Sequence, residues 1–176
     1  MFRKPLAWIG SLTLLPAGFL VAGNVPDSEQ VSKLLSETKT MAFQLKEDAA
    51  TMESFTRMNV GWESHKVAIN QIKDHVNDLL RQVNKLNAAK AMASPWQKAA
   101  IEKITPFLDE MEGYTLAIIE HLNGENKRTI AEYKDYLEAN ADYSSDLAAM
   151  IANYVDYGKS KERVQSLGAK LEVPQK

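Results

Sequence analysis

Apolar side chains recur every three or four residues along most of this chain beyond residue 27, which is the spacing of one face of an α-helix. Four such stretches are separated by short segments in which this pattern stops: Asn59-Val60-Gly61, Ala88 to Ala93 before Ser94, and Asn123-Gly124. Short connections make consecutive helices antiparallel. The pattern therefore predicts an all-α fold, an up-down-up-down four-helix bundle occupying residues 24–171.

The first helix is predicted over residues 28–58, after a capping box formed by Asp27 and Gln30. The third helix has the clearest start, because Ser94 is a favourable N-cap, Pro95 follows it, and Gln97 stands at the third helical position. Pro106 lies inside this third helix and predicts a kink or a division of it.

The fourth helix is predicted to be the longest, from Ile130, after a capping box at Thr129, to about Leu171. Two sets of positions spaced by seven residues predict that it packs on other helices. The first set is Tyr136, Tyr143, Met150, Tyr157, Val164 and Leu171, and the companion set is Tyr133, Asn140, Leu147, Tyr154, Lys161 and Gly168.

Both sets are predicted to lie at the core, so Tyr136, Tyr143 and Tyr157 are interpreted as core residues, with a contact surface for a partner as the alternative. Residues 158–171 contain fewer large apolar groups and are expected to project past the bundle or to fray. A homo-oligomer joined through this helix is a further possibility. Residues 172–176 are expected to form a flexible tail.

The N-terminus has the layout of a secretory signal peptide. Arg3 and Lys4 precede an apolar run over residues 6–22, and Val21-Ala22-Gly23 provides a cleavage site before Asn24. Residues 1–23 are therefore predicted to be a signal peptide, and the protein to be periplasmic or secreted. The alternative is an uncleaved anchor, which would hold the bundle at a membrane.

Composition narrows the functional classes. The formal net charge of −2 is the opposite of the basic face that nucleic acid requires, so no nucleic-acid partner is expected. The chain contains no cysteine, which excludes disulfides, a lipidated cysteine and C-x-x-C-H haem attachment. Common catalytic motifs are missing, and none of the three histidines has a Glu three residues before it, as a di-iron bundle needs. The protein is therefore not expected to be an enzyme.

One group of residues could nevertheless hold a ligand. In the predicted topology, the start of the second helix and the end of the third meet at one end of the bundle, which brings His65 and His121 towards each other. Met58 and Tyr133 are expected at the same end. Imidazole and thioether groups suit haem iron or copper. The alternative interpretation is that these side chains are packed or solvated and that the protein has no cofactor.

The predicted layout is similar in architecture to the periplasmic four-helix cytochromes of the b type and the c′ type. The b type would need a Met near the start of the first helix and a His near the end of the fourth, whereas Met41 lies well inside the first helix and the fourth has no His. The c′ type would need C-x-x-C-H. Likeness of architecture does not imply likeness of function.

The sequence thus predicts an exported helical bundle without enzymatic activity that acts through its surface, as a binding, adaptor or chaperone-like protein with an unknown protein or small-molecule partner. The alternative is a bundle that binds haem, copper or another small ligand through the His, Met and Tyr residues at one end.

Overall fold

A computed structural model describes residues 25–58, 60–124 and 130–172, of which Ile130 is described by its backbone alone. Four helices account for most of these residues: α1 (Glu29–Ser54), α2 (Trp62–Ala89), α3 (Pro95–Asn123) and α4 (Ile130–Lys170). Short 3-10 turns follow α1 and α2, at Phe55–Arg57 and Lys90–Met92. The predicted all-α four-helix bundle is confirmed. The predicted leader, the capping residue Thr129 and the tail residues Val173 to Lys176 lie outside the described ranges.

The helices form a closed ring in which α1 and α3 each pack against both α2 and α4. Each helix contributes one apolar stripe to a single continuous core. The largest side chains that are fully buried come from all four helices: Leu35, Leu45, Met52, Ile72, Leu79, Leu86, Ile101, Ile104, Leu108, Met111, Ile118 and Leu137. Burial of these stripes supplies most of the stability that a bundle of this kind has.

Two predicted helix boundaries need correction. The N-cap of α1 is Ser28, whose side-chain oxygen accepts a hydrogen bond from the backbone nitrogen of Val31 at 3.4 Å. Asp27 is not the cap, because its carboxylate is bonded to two side chains from other helices, described below. The first helix ends at Ser54 rather than at residue 58, since the chain tightens there into a 3-10 turn.

Pro106 does not divide α3, which continues as one helix from Pro95 to Asn123. A proline inside a helix removes the hydrogen bond to the carbonyl four residues earlier, here that of Glu102. Both Pro106 and Glu102 are exposed, so water can bond to the freed carbonyl. The predicted interruption is thus tolerated on the solvent side of α3.

The prediction that both seven-residue sets of α4 form core holds for only part of the first set, in which Tyr136, Tyr143 and Met150 pack against the core half-buried and the last three members do not. The buried stripe of α4 consists of Tyr133, Leu137, Asn140, Ser144, Leu147, Ala148, Ile151 and Val155. Tyr157, Val164 and Leu171 are 54%, 68% and 70% exposed. Successive residues of a helix are about 100° apart around its axis. Residues separated by four positions, such as Tyr133 and Leu137, are therefore only about 40° apart, and both face the core. Tyr136 and Tyr143 fall beside this core and are half-buried.

The final part of α4 differs from the rest of the helix, because no residue from 158 to 172 is buried. We call this segment the α4 extension. Its helical backbone continues to Lys170, so the predicted fraying is not found. The first half of the extension stays beside the bundle, because Lys161 is bonded to Asp27, and Gly158, Lys159, Glu162 and Gln165 line a cavity together with residues 26–36. Within the described ranges, no helix combines the length and the apolar character needed to cross a bilayer.

Candidate functional site

The predicted histidine cluster lies where α2 begins, α3 ends and α4 begins. His65 is buried, and its Nδ1 lies 2.7 Å from the hydroxyl oxygen of Tyr133. The ring of His121 stacks on the ring of Tyr133, with the two centroids 4.9 Å apart and an angle of 21° between the ring planes. Both histidines therefore contact Tyr133, and the juxtaposition expected from topology is found.

Aromatic side chains enclose this cluster. The rings of Phe55 and Trp62 each lie 5.3 Å from that of His65. Burial lowers the pKa of His65 and raises the pKa of Tyr133, so both side chains favour their neutral forms. A hydrogen bond between a neutral phenol and a neutral imidazole requires no buried charge. The cluster consequently links α2, α3 and α4 without an ion pair.

The cluster offers few free ligand atoms. Met58 is 54% exposed and lies after the turn that follows α1. In the part of the chain that the structure describes, no group of three or more His, Asp or Glu side chains is placed to hold a metal ion. The Nε2 atom of His121 is buried without a hydrogen-bond partner among the described residues. It is therefore the atom in this cluster that a ligand could contact, and haem or copper binding stays a prediction.

A polar cluster that the sequence did not suggest lies at the opposite end of the bundle. Asp27 Oδ1 accepts hydrogen bonds from Trp96 Nε1 at 2.7 Å and from Lys161 Nζ at 2.8 Å. Burial by itself would raise the pKa of Asp27, but the hydrogen bonds from Lys161 and Trp96 outweigh it and lower that pKa. This carboxylate ties the segment before α1 to α3 and α4.

Gln97 strengthens the same end. Its Oε1 accepts from the backbone nitrogens of Ser94 at 2.9 Å and Ser28 at 3.0 Å. Its Nε2 donates to the carbonyl oxygen of Ser28 at 2.9 Å and to Ser32 Oγ at 3.0 Å. The side chain that closes the predicted capping box of α3 therefore also fastens the start of α3 to the start of α1.

Between α3 and α4 runs a surface groove of about 680 Å³ that is lined mainly by apolar and aromatic side chains. Its lining residues are Trp96, Ala99, Phe107, Asp146, Ala149, Met150, Asn153, Tyr154 and Tyr157. We call it the α3/α4 groove. The indole of Trp96 forms its end wall, with the ring of Tyr157 at 5.4 Å in an edge-on arrangement.

The groove continues into an apolar stripe along the outer face of α4, formed by Met150, Tyr157, Val164, Leu167 and Leu171. We call this the outer stripe. Val164 and Leu171 follow Tyr157 at intervals of seven residues, so they stay within about 40° of it around the helix axis. Leu167 is 47% exposed. Met150 and Tyr157 belong to both, so the α3/α4 groove and the outer stripe adjoin along α4.

The three tyrosines that the sequence indicates as core residues, Tyr136, Tyr143 and Tyr157, differ in their surroundings. Tyr136 donates a hydrogen bond to Glu132 Oε1 at 2.8 Å. The ring of Tyr143 lies 5.2 Å from that of Tyr114. Only Tyr157 is exposed, and it lines the groove. The alternative interpretation of these residues as a contact surface therefore fits Tyr157 best.

Sequence reasoning missed Trp96 and Asp27 as members of a site. The available signals were weak: an aromatic residue directly after the Ser94-Pro95 cap, and a lysine at position 161, where an apolar residue would suit the heptad. Neither signal predicts that Trp96 and Lys161 both contact Asp27, because that depends on how α3, α4 and the segment before α1 pack.

Comparison with known proteins gives no match of any kind: no protein-family model, no curated protein and no solved structure is significantly similar to this chain.

Proposed function

We propose that this protein is an exported, non-enzymatic binding protein, of the adaptor or chaperone-like type, that holds partner proteins along the α3/α4 groove and the outer stripe. One observation supports it above all others. Tyr157, Val164, Leu167 and Leu171 leave about half or more of their side chains exposed in one line along α4, beside a groove with aromatic walls. Contiguous exposed apolar surface of this kind is typical of interaction sites.

The shape and charge of this surface suggest the chemistry of the partner. The groove runs along helices, and residues 146–157 of α4 extend over about 16 Å. Asp146 lines the groove, and Asp142 is exposed one helical turn before it on α4. The partner that fits is an amphipathic helix with an apolar stripe and flanking lysine or arginine residues.

Export is the second element of the proposal and is supported by the leader sequence at residues 1–23. Mass spectrometry of the full gene product recovered from the exported fraction tests it. A chain that begins at Asn24 supports export of a cleaved protein, whereas an intact N-terminus in the membrane fraction would replace it with the anchored form.

The binding proposal is tested with two labelled model helices of equal length. Both carry a leucine stripe, flanked by lysines in one and by glutamates in the other, and fluorescence anisotropy measures their affinity for the protein. We expect the basic helix to bind about tenfold or more tightly. Equal or undetectable affinity of the two helices would contradict the proposal.

A matched pair of variants locates the binding site. Tyr157→Lys places a charge in the groove and is expected to abolish binding of the basic helix. Val67→Lys makes the same kind of change at a side chain of α2 that is 69% exposed and distant from the groove, and should leave binding unchanged. Identical effects of both substitutions would place the binding site elsewhere.

A second candidate function is supported by the buried, unbonded Nε2 of His121: binding of haem, copper or a small ligand at the cluster with His65 and Tyr133. Native mass spectrometry of the exported protein tests it. An added mass that His121→Ala and His65→Ala remove, with helicity unchanged by circular dichroism, would support this function, and a bare chain under all loading conditions would contradict it.

A further inference from the structure

Charge is distributed unevenly along α4. The first two-thirds of α4 contain a single basic residue, Lys134. The acidic residues of the same part are Glu132, Asp135, Glu138, Asp142, Asp146 and Asp156. The α4 extension is mainly basic, with Lys159, Lys161, Arg163 and Lys170 against Glu162 and Glu172, and of these bases Lys161 is paired with Asp27 of the same chain. One continuous helix therefore has an acidic portion packed on the bundle and a basic portion at its C-terminal end.

The α4 extension has the character that the groove requires of its partner. It is helical to Lys170, it presents Val164, Leu167 and Leu171 in an apolar line, and its charged side chains are mostly basic. Its helical part spans about 18 Å, compared with about 16 Å for the stretch of α4 that lines the groove. The chain thus contains an amphipathic basic helix of suitable length for its own acidic apolar surface.

The extension cannot reach the groove of its own chain, because it continues the same helix, α4, whose preceding residues line that groove. A second copy can supply it. This step rests on the proposed function, since it names the occupant of the surface that the proposal describes. We propose that two copies of this chain pair antiparallel through α4, so that the α4 extension of each copy lies along the outer stripe and α3/α4 groove of the other.

The antiparallel direction follows from the charges. In a parallel pair, the basic extensions would lie side by side, and so would the acidic halves, which places like charges opposite each other. In an antiparallel pair, Arg163 and Lys170 of each copy overlap the stretch of the second copy that contains Asp142 and Asp146. Opposite charges then flank the apolar contact at both ends of the interface.

The apolar positions also match in this direction. When the two-fold axis passes near Tyr157, Met150 of one copy lies opposite Val164 of the second copy, and Tyr143 lies opposite Leu171. Every seven-residue position of the outer stripe then faces an apolar or aromatic residue. The contact is isologous and closes on itself, so it produces dimers and not filaments.

Sedimentation equilibrium of the exported full chain over a range of concentrations tests for the dimer. Val164→Lys and Leu171→Lys each change a side chain that is exposed in the single chain, so folding should be unaffected, and circular dichroism checks this. We expect each to raise the dimer dissociation constant about tenfold or more, because each change occurs twice in a two-fold interface. Val67→Lys, with 69% exposure on α2, is the matched control and should shift it less than about twofold.

The absence of cysteine from the chain allows the direction to be tested by cross-linking. A mixture of Met150→Cys and Val164→Cys copies should form the mixed disulfide dimer on mild oxidation, whereas Leu171→Cys alone should not cross-link to itself. A parallel pair would give the reverse result: self-cross-linking of Leu171→Cys and little mixed product. That reverse result would overturn the proposed arrangement.

Charge exchange gives a test in which binding is regained. The double variant Arg163→Glu with Lys170→Glu and the double variant Asp142→Lys with Asp146→Lys should each weaken self-association about tenfold. An equal mixture of the two should dimerise again, because each extension then meets a groove of opposite charge. Failure of the mixture to recover, with both variants folded, would overturn the pairing.

The outcomes separate this inference from the proposed function. A chain that stays monomeric at all concentrations, but binds the basic model helix in the groove, overturns the dimer and leaves the proposed function in place. A monomeric chain that binds neither model helix overturns both. A dimer that Val164→Lys dissociates, and that the basic model helix competes with, supports both.

Discussion

The two long faces of α4 share the same seven-residue spacing and differ in nearly everything else. On the inner face, Tyr133 and Leu147 are buried, and the small polar side chains Asn140 and Ser144 lie between them. On the outer face, Tyr157 and Val164 are mostly exposed. The comparison shows that heptad spacing identifies a helix with packing faces but does not tell which of them the bundle itself uses.

The polar residues of the inner face explain why it is hard to recognise. Asn140 Nδ2 donates to Thr115 Oγ1 of α3 at 3.3 Å, and Ser144 Oγ donates to the carbonyl oxygen of Ala141 at 2.9 Å. Ser144 and the amide nitrogen of Asn140 thus find partners there, whereas Asn140 Oδ1 is buried without a hydrogen-bond partner among the described residues. Judged by hydrophobicity, the outer face, with its tyrosines, Met150 and Val164, would have been chosen first.

The largest expected difference between the two faces is in stability. Leu147→Ala on the inner face removes a fully buried side chain and should lower the free energy of unfolding by about 2–5 kcal/mol. Val164→Ala on the outer face, measured in chemical denaturation at low protein concentration, should change it by less than about 0.5 kcal/mol. Equal losses at both positions would mean that the outer stripe is packed within the single chain.

Two tyrosines three residues apart provide the second comparison. Tyr133→Phe leaves the buried Nδ1 of His65 without its partner and should cost about 1–3 kcal/mol in urea unfolding. Tyr136→Phe removes a bond to Glu132 at the surface, and the expected change is below about 0.5 kcal/mol. A smaller effect at position 133 than at position 136 would contradict the assignment of the two faces.

Stability should also depend on pH through His65 of α2, the partner of Tyr133 on the inner face of α4. Burial lowers the pKa of this imidazole in the folded state below its value of about 6.5 in the unfolded chain, so the unfolded state binds the proton more readily. The stability that the neutral, buried imidazole contributes is therefore complete above pH 6.5. As the pH falls below 6.5, the free energy of unfolding decreases by at most about 1.4 kcal/mol per pH unit. His65→Gln should flatten this part of the stability curve, and an unchanged slope would assign the dependence to other groups.

The smallest expected effect concerns Gly158, the residue at which the α4 extension begins. A Cβ atom at Gly158 would lie 2.7 Å from Cη2 of Trp96, so Gly158→Ala must displace the indole. We expect a net loss of about 1 kcal/mol, because the contact outweighs the gain in helix propensity. Gly113→Ala in α3, where nothing lies within 4 Å, should instead stabilise by about 0.5–1 kcal/mol. Equal changes at both glycines would show that the indole yields freely.

Parts of the candidate sites could be predicted and parts could not. His65, His121 and Tyr133 were placed at one end of the bundle because short loops make neighbouring helices antiparallel, which is enough to say which helix ends meet. The hydrogen bond between Tyr133 and His65 and the stacking of His121 could not be predicted, because they depend on how each helix is rotated about its axis. The Asp27, Trp96 and Lys161 cluster needed the same information for three separate segments.

The sequence by itself determined the number, order and approximate ends of the helices, because helical periodicity and capping residues such as Ser94 and Gln97 act over a few neighbouring positions. Only the tertiary structure decided which face of α4 is buried and where Asp27 finds its partners. Those choices depend on how the side chains of four helices fill one shared core, and a rotation of about 60° around the helix axis, the angle between Tyr133 and Tyr136, would exchange a buried face for a half-buried one.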